Sequence, residues 1–409
     1  MYTLGIFLYI FVVRLAALFG HKKARLKLAG HKQTLAVLKE KLKPGENYVW
    51  FHVSSRAGFE QSRPMIERLR MTHPEYRIVL TFFSPSGYDM AKNYQQADVV
   101  CFLPFDTRRN IRKFLDLLQP KMVFFIKCEF WLNFLTALKE RSIPVYSISA
   151  VFSNKRSMLS VAGARLRLAL HCFTHIFVQD EKSKEMLKTI GIHNVSVVGN
   201  TRFDRVVKVF EQAHQLPLLE AFAEGRRVFV AGASERDDEA VFIPYFNRNR
   251  DWKLVIVPNK FNDERIKAIE KQYEGTCVRY TRATMENIHN ADCVIVDCFG
   301  LLSKVYKYGD IAFVGGSFGK GVHNVLEAAV YGVPVLIGPE NNRSCEAQSL
   351  MACGGIVEAL DAYDFGEKIK AIADDADYSA RIGVTAGNYV KRNAGVTAKI
   401  FNEIERQNI

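Results

Sequence analysis

A chain of 409 residues exceeds a single ordinary hydrophobic core, so two domains are expected. Hydrophobic residues at 48% and charged residues at 24% exclude a disordered or fibrous chain. The 56 basic against 43 acidic side chains leave a formal charge of +13, which favours an anionic partner: a nucleic acid, an anionic lipid surface or a phosphorylated substrate.

In chain order, the first twenty residues, MYTLGIFLYIFVVRLAALFG, are nearly all apolar, and HKKARLKLAGHK comes next with Lys22, Lys23, Arg25, Lys27 and Lys32. A secretory signal has the reverse order, and positive charge after an apolar run keeps the succeeding domain on the cytoplasmic side. The pattern predicts a membrane anchor over residues 1–20. It is barely long enough to span, and Arg14 would cost about 2.5–3.5 kcal/mol near the bilayer centre. A helix lying in the interface, with its basic flank on anionic headgroups, is the rival form. A buried first helix of the N-terminal domain is the plain alternative.

From Tyr48 onward, apolar β-branched and aromatic runs alternate with helical patterns. The runs are YVWFHVSS, YRIVLTFFS, DVVCFLP, MVFFIK, VYSISA, HIFVQD and VSVVGN, then RRVFVAGAS, WKLVIVP, DCVIVD, IAFVGGS and VPVLIGP. Such alternation predicts an α/β protein with two doubly wound, Rossmann-like domains of parallel strands. The boundaries read as 21–205 and 206–409, with the last helix able to cross back to the first domain. Ligands of such sheets bind beyond the strand carboxyl ends. The expected site is therefore a cleft ringed by the loops after Ser55, Lys127, Ser234, Pro258, Asp297 and Ser317.

Two stretches carry chemistry. HVSSRAGFEQSRP, His52 to Pro64, reads as a site loop with Gly58 at its apex and Arg63 at the following helix entrance. In IAFVGGSFGKGVHNVLEAAVYGVPVLIGP, four glycines with Ser317 and Lys320 precede a helix expected to start near His323-Asn324. Glycine admits a close backbone approach, and a helix start with free amides suits a phosphate. Asn324 and Glu327 are three apart, so they share a helix face, and Glu327 is placed to accept hydrogen bonds from ribose hydroxyls. Neither GxxxxGK[ST] nor GxGxxG occurs, and a tightly packed glycine turn is the bland alternative.

The loop Gly315–Pro339, the HVSSRAGFEQSRP stretch, Glu129-Phe130-Trp131 and GNTRFDRV over Gly199–Val206 together resemble the 3-deoxy-D-manno-octulosonic acid (Kdo) transferases, closest to Bacteroidetes-type members. The resemblance implies a B-type glycosyltransferase fold with an anchor helix. It also implies transfer of Kdo from CMP-Kdo to the lipid A precursor in lipopolysaccharide biosynthesis, on the cytoplasmic side of the inner membrane. Pro258, Asn259, Gly300, Leu301, Leu302, Gly316, Ser317, Asn324, Val325, Leu326 and Glu327 then fall on donor-binding positions. Glu129 falls near the catalytic centre, and Arg63 is placed to meet a sugar carboxylate or an acceptor phosphate, unless it merely pairs with Glu67.

The departures are as informative. The family's Gly-Glu pair aligns with Ala57-Gly58, preceded by Arg56, so the position of the general base has no side chain. Glu60, two residues on, is the candidate substitute for the catalytic carboxylate, although a shift of that size turns it away in a regular strand or helix, where it would be a first-turn carboxylate favouring the helix dipole. Asn259 stands where the family has a His or Arg, with Lys260 next to it. Either the chain is an impaired transferase, or it binds CMP-sugar or glycolipid without efficient turnover, or it uses another activated sugar. Asp237-Asp238 reads as a helix start rather than a DxD metal motif. No CxxC pair, HExxH or histidine cluster occurs, so no metal and no cofactor is expected. Basic residues do not form a stripe with interleaved aromatics, so no nucleic-acid partner is expected.

Overall fold

The computed structural model describes residues 2–152 and 163–406. The chain divides into two compact units, residues 1–205 with 395–409, and residues 206–394.

The first unit is built on β1 Asn47–Val53, β2 Tyr76–Phe82, β3 Val99–Phe102, β4 Met122–Ile126, β5 Val145–Ala150, β6 His175–Val178 and β7 Val195–Val197. All pair in parallel, in the order β3-β2-β1-β4-β5-β6-β7. β1 explains why its sequence is a continuous apolar run: both faces are covered. Tyr48 and Trp50 join a core with Phe114 and Phe134, whereas Val49, Phe51 and Val53 pack with Phe59, Ile66 and Leu69 of the Arg56–Thr72 helix. The Val396–Arg406 helix belongs to this second core through Ile400, Phe401 and Ile404. Asp204 fixes its start, accepting the amides of Gly395 and Thr397 at 2.6 Å each.

The second unit carries β8 Arg227–Ser234, β9 Trp252–Pro258, β10 Cys277–Arg279, β11 Cys293–Ile295, β12 Ile311–Val314, β13 Val335–Ile337 and β14 Ile356–Glu358. Their order is β10-β11-β9-β8-β12-β13-β14, again parallel. β10 and β14 do not register in the sequence as strands. Each is three residues long at a sheet edge and only partly buried, so no apolar run marks it.

The N-terminal run forms a helix, Tyr2–Leu18, succeeded by the helix Lys22–Lys41. Among the described residues no helix is long and apolar enough to cross a membrane. Seventeen residues at about 1.5 Å each reach about 26 Å, short of a hydrocarbon core of about 30 Å. The helix instead docks on the first unit: the Tyr2 hydroxyl donates to Asp106 Oδ2 at 2.6 Å, and the Tyr9 ring centre lies 6.2 Å from that of Phe83. Leu4, Phe7, Leu8, Phe11, Val12, Leu15 and Leu18 remain exposed, a spacing that puts them on one face.

The strand order reverses between β1 and β4 in the first sheet and between β8 and β12 in the second. The loops leaving those four strands are where an open parallel sheet offers a binding crevice.

Candidate functional site

In the first unit, HVSSRAGFEQSRP is not a loop beyond Ser55. The helix starts at Arg56, and Gly58 is its third residue, with its amide donating to the Ser55 cap at 3.2 Å. Arg63 therefore lies two turns inside this helix rather than at the next helix start. The correction has a simple cause: a Ser cap outweighs the Gly and Pro that suggest a turn. Nothing in the backbone requires glycine at 58. A Cβ there would sit 3.5 Å from Val53 Cβ and 3.7 Å from Ser55 Oγ, ordinary contact distances.

The other carboxylates of this unit divide cleanly. Glu60 is committed to cations, 3.0 Å from Arg205 Nε and 3.6 Å from Arg63 NH1. Arg63 also pairs with Glu67 at 3.3 Å. The GNTRFDRV segment thus works on the same helix: Asn200 Oδ1 accepts from Gln61 Nε2 at 2.8 Å, and the Thr201 hydroxyl donates to Gln61 O at 2.8 Å. Glu129 differs. It comes after β4 at the switch point, accepts from Trp131 Nε1 at 3.1 Å, and burial raises its carboxyl above the ordinary range, opposed by hydrogen bonds from Ser54 and Trp131. His52 Nε2 lies 4.0 Å from Glu129 Oε2. Full burial pushes this imidazole down to about 3, so it is neutral near pH 7 and forms no ion pair with the carboxylate. The strand end offers a partly protected carboxylate beside a neutral, rigid imidazole, whose Nδ1 is 2.9 Å from Thr81 Oγ1.

In the second unit the glycine-rich loop is tighter than its sequence suggests. Gly315 packs so closely that a Cβ would collide with Ala233 O, and Gly316 has φ +79°. Most of its amides are already used. Gly316 N and Phe318 N donate to Asp238 at 2.7 and 3.0 Å, Gly319 N and Gly321 N donate to Gly316 O, and His323 N donates to Gly315 O. The Ser317 side chain is buried, its hydroxyl donating to Val314 O and accepting from Gly338 N. The next helix is Leu326–Ala329, four residues, with Val325 as its cap. The expectation of a helix from 323 with free amides is thus corrected: buried loop backbone satisfies itself first.

Asn324 and Glu327 do come together, Nδ2 donating to Oε1 at 2.7 Å, while Asn324 Oδ1 is buried without a hydrogen-bond partner among the described residues. Asn259, just after Pro258 at the β9 end, donates to Glu235 Oε1 at 3.1 Å, and His323 Nε2 lies 3.4 Å from the same oxygen. Gly300, with φ +88°, and Leu301 lead into the Leu302–Val305 helix, and Asp297 is spent on Thr281 at 2.6 and 2.9 Å.

Asp238 is the residue that sequence reasoning missed. Its helix does start at Arg236, as expected, and Asp238 completes a capping box with Glu235. The same buried carboxylate clamps the glycine loop. Burial raises it, opposed by the amides it accepts. A Glu-x-x-Asp spacing at a helix start was the available signal.

Solved structures share this architecture. A UDP-GlcNAc 2-epimerase from Neisseria meningitidis, determined with UDP-GlcNAc, matches with TM-score 0.59 over 86% of this chain and 100% of that one, at 17% identity, a likeness of fold alone. Two Rossmann-like units in succession define the class as a B-type glycosyltransferase-like fold. Residues 23–205 match the family described as 3-deoxy-D-manno-octulosonic-acid transferase (kdotransferase). A 3-deoxy-D-manno-octulosonic acid transferase of Aquifex aeolicus is 27% identical over 75% of this chain and 80% of its own length. That of Haemophilus influenzae is 22% identical over 88% and 87%. A bifunctional glycosyltransferase/methyltransferase of Fusobacterium nucleatum is 26% identical over 72% of this chain, which spans 47% of that longer protein. Over residues 23–205 the chain is thus similar to the Kdo transferases.

Asp238→Asn turns one acceptor into a donor facing backbone N–H groups, so it is expected to cost about 1–3 kcal/mol in urea unfolding. For Glu129, the raised folded-state value means that its contribution to stability falls as pH rises from the unfolded value through the folded one. Glu129→Gln should abolish that loss in pH-dependent urea titrations.

Proposed function

We propose that this chain is a glycosyltransferase that moves Kdo from CMP-Kdo to the lipid A precursor in lipopolysaccharide biosynthesis, at the cytoplasmic face of the inner membrane. The observation that carries the reading is the Kdo transferase match over residues 23–205, which includes β1, β4 and the loops that leave them. In the reaction the acceptor hydroxyl oxygen bonds to the anomeric carbon of Kdo, the bond from that carbon to the CMP phosphate breaks, and CMP leaves with the electron pair. The hydroxyl proton must go to a base.

At the family's base position this chain has Gly58, and Glu60 is held by Arg205 and Arg63. Glu129 is the carboxylate we assign to the proton in their place, working less well than a dedicated base. For the donor, Asn324, Glu327 and the loop held by Asp238 are the assigned binding elements, with Asn259 and Gly300–Leu302 completing them. Arg63 is assigned to the acceptor through whichever charge its two carboxylate partners leave available.

The membrane reading rests on the exposed apolar face of the Tyr2–Leu18 helix, next to Lys22, Lys23 and Arg25. An interfacial helix with a basic flank, on a chain of charge +13, suits an anionic bilayer surface. Gly58 favours a second reading, a protein that binds CMP-sugar or glycolipid without efficient turnover.

CMP release from CMP-Kdo with lipid A precursor separates the two. Gly58→Glu, which meets no steric obstacle at its Cβ, is expected to raise turnover about 10²-fold or more, as a positioned base does. If both forms bind CMP and neither releases it, the binding-protein reading prevails; displacement by UDP rather than CMP would indicate another donor. In sedimentation with vesicles, the chain is expected to bind phosphatidylglycerol bilayers at low salt, with binding reduced by salt and by Phe7→Glu/Phe11→Glu.

A further inference from the structure

The second unit has a cavity of ≈ 230 Å³ beside the glycine-rich loop, lined by Lys320, Gly321, Glu340, Asn341, Arg343 and Ser344. Its walls are the β12 loop and the β13 loop, and two backbone bonds tie them together: Val322 N to Glu340 O and Glu340 N to Ser317 O, both 2.8 Å. Asn341 is buried behind them, donating to Gly338 O at 2.9 Å and Glu358 Oε1 at 2.6 Å, and accepting from Gln348 Nε2. The frame is rigid, so the shape is held without a ligand.

The charges on this cavity are two cations, Lys320 and Arg343, and one carboxylate, Glu340. Among the described residues neither cation has an ion-pair partner, and the eight-residue helix Cys345–Ala352 begins at the rim, capped by Ser344. The volume is below the roughly 300–1,000 Å³ of sites for drug-sized ligands, which suits one sugar-sized group rather than a whole sugar nucleotide. The adjoining loop amides of Gly316, Phe318, Gly319 and Gly321 are consumed internally, so this wall recognises an anion through side chains rather than backbone. A guanidinium pairs with a carboxylate in a bidentate fork, and an ammonium beside it adds a second charge.

We propose that this cavity is a subsite for the carboxylate of an acidic donor sugar, with Arg343 and Lys320 as its counter-charges; the assignment rests on the Kdo-transfer reading above. It divides the donor's two negative charges, the sugar carboxylate going here and the nucleotide phosphate elsewhere in the same unit. Glu340 lowers the affinity of the subsite and so limits how firmly the donor is held.

The test is calorimetric binding of CMP-Kdo and of CMP to the full chain, to the Lys320→Gln/Arg343→Gln double variant and to Glu340→Gln. Lys320, Glu340 and Arg343 are all exposed, so these substitutions leave the core intact. The double variant is expected to bind CMP-Kdo about tenfold or more weakly while CMP affinity is unchanged. Glu340→Gln is expected to tighten CMP-Kdo alone. Equal weakening of CMP and CMP-Kdo would assign the cations to the phosphate and overturn the proposal. So would a double variant that binds both ligands as the unsubstituted chain does. A chain that binds neither ligand before substitution overturns the Kdo-transfer reading itself, and this subsite with it.

Discussion

Backbone amides at the carboxyl ends of buried parallel strands must find partners, and that requirement organises both units. In the second unit one carboxylate, Asp238, takes the amides of Gly316, Phe318 and Glu235, joining the β8 loop to the β12 loop. In the first unit Gln61, Asn200 and Thr201 tie the helix after β1 to the segment after β7, through a side-chain amide bond and a hydroxyl donating to a backbone carbonyl. Desolvation makes each unmade bond costly, so these polar side chains decide loop shape more than any apolar contact does.

The same constraint separates residues that hold the site from residues left to act in it. Ser317, Gly316 and Asp297 are spent on the fold. Glu60 is spent on Arg205. Glu129, in contrast, is raised by burial at a strand end, next to an imidazole that burial keeps neutral. A carboxylate raised by burial holds its proton to higher pH than an ordinary one does. The protein has thus kept a shaped strand end around a position, Gly58, that lacks a functional group of its own.

Individual residues show how much was legible in the sequence. The alternating apolar runs identified all strands of the first sheet, because strands buried on both faces must be apolar along their length. They also identified β8, β9, β11, β12 and β13, but not β10 and β14, whose three residues at a sheet edge leave no periodicity to read. The pairing of Asn324 with Glu327 agrees with helical spacing, even though the helix itself is shorter than expected. Gly58 and Pro64 suggested a loop, yet both lie in a helix, since the Ser55 cap and the packing of Phe59, Ile66 and Leu69 outweigh local turn preference.

By itself, the sequence determined the α/β class, the resemblance to the Kdo transferases and the absence of a carboxylate at position 58, because these depend on residue identity and on patterns along the chain. Only the tertiary structure decided which polar groups are already satisfied. Asp238 meets Gly316 across 78 residues and Gln61 meets Asn200 across 139, separations that no local pattern encodes. Burial, too, is a property of the folded chain alone, and it lowers the His52 imidazole and raises the Glu129 carboxyl. Whether a given serine, aspartate or amide serves the fold or faces a ligand is therefore fixed by three-dimensional accounting of hydrogen bonds, not by the motif that contains it.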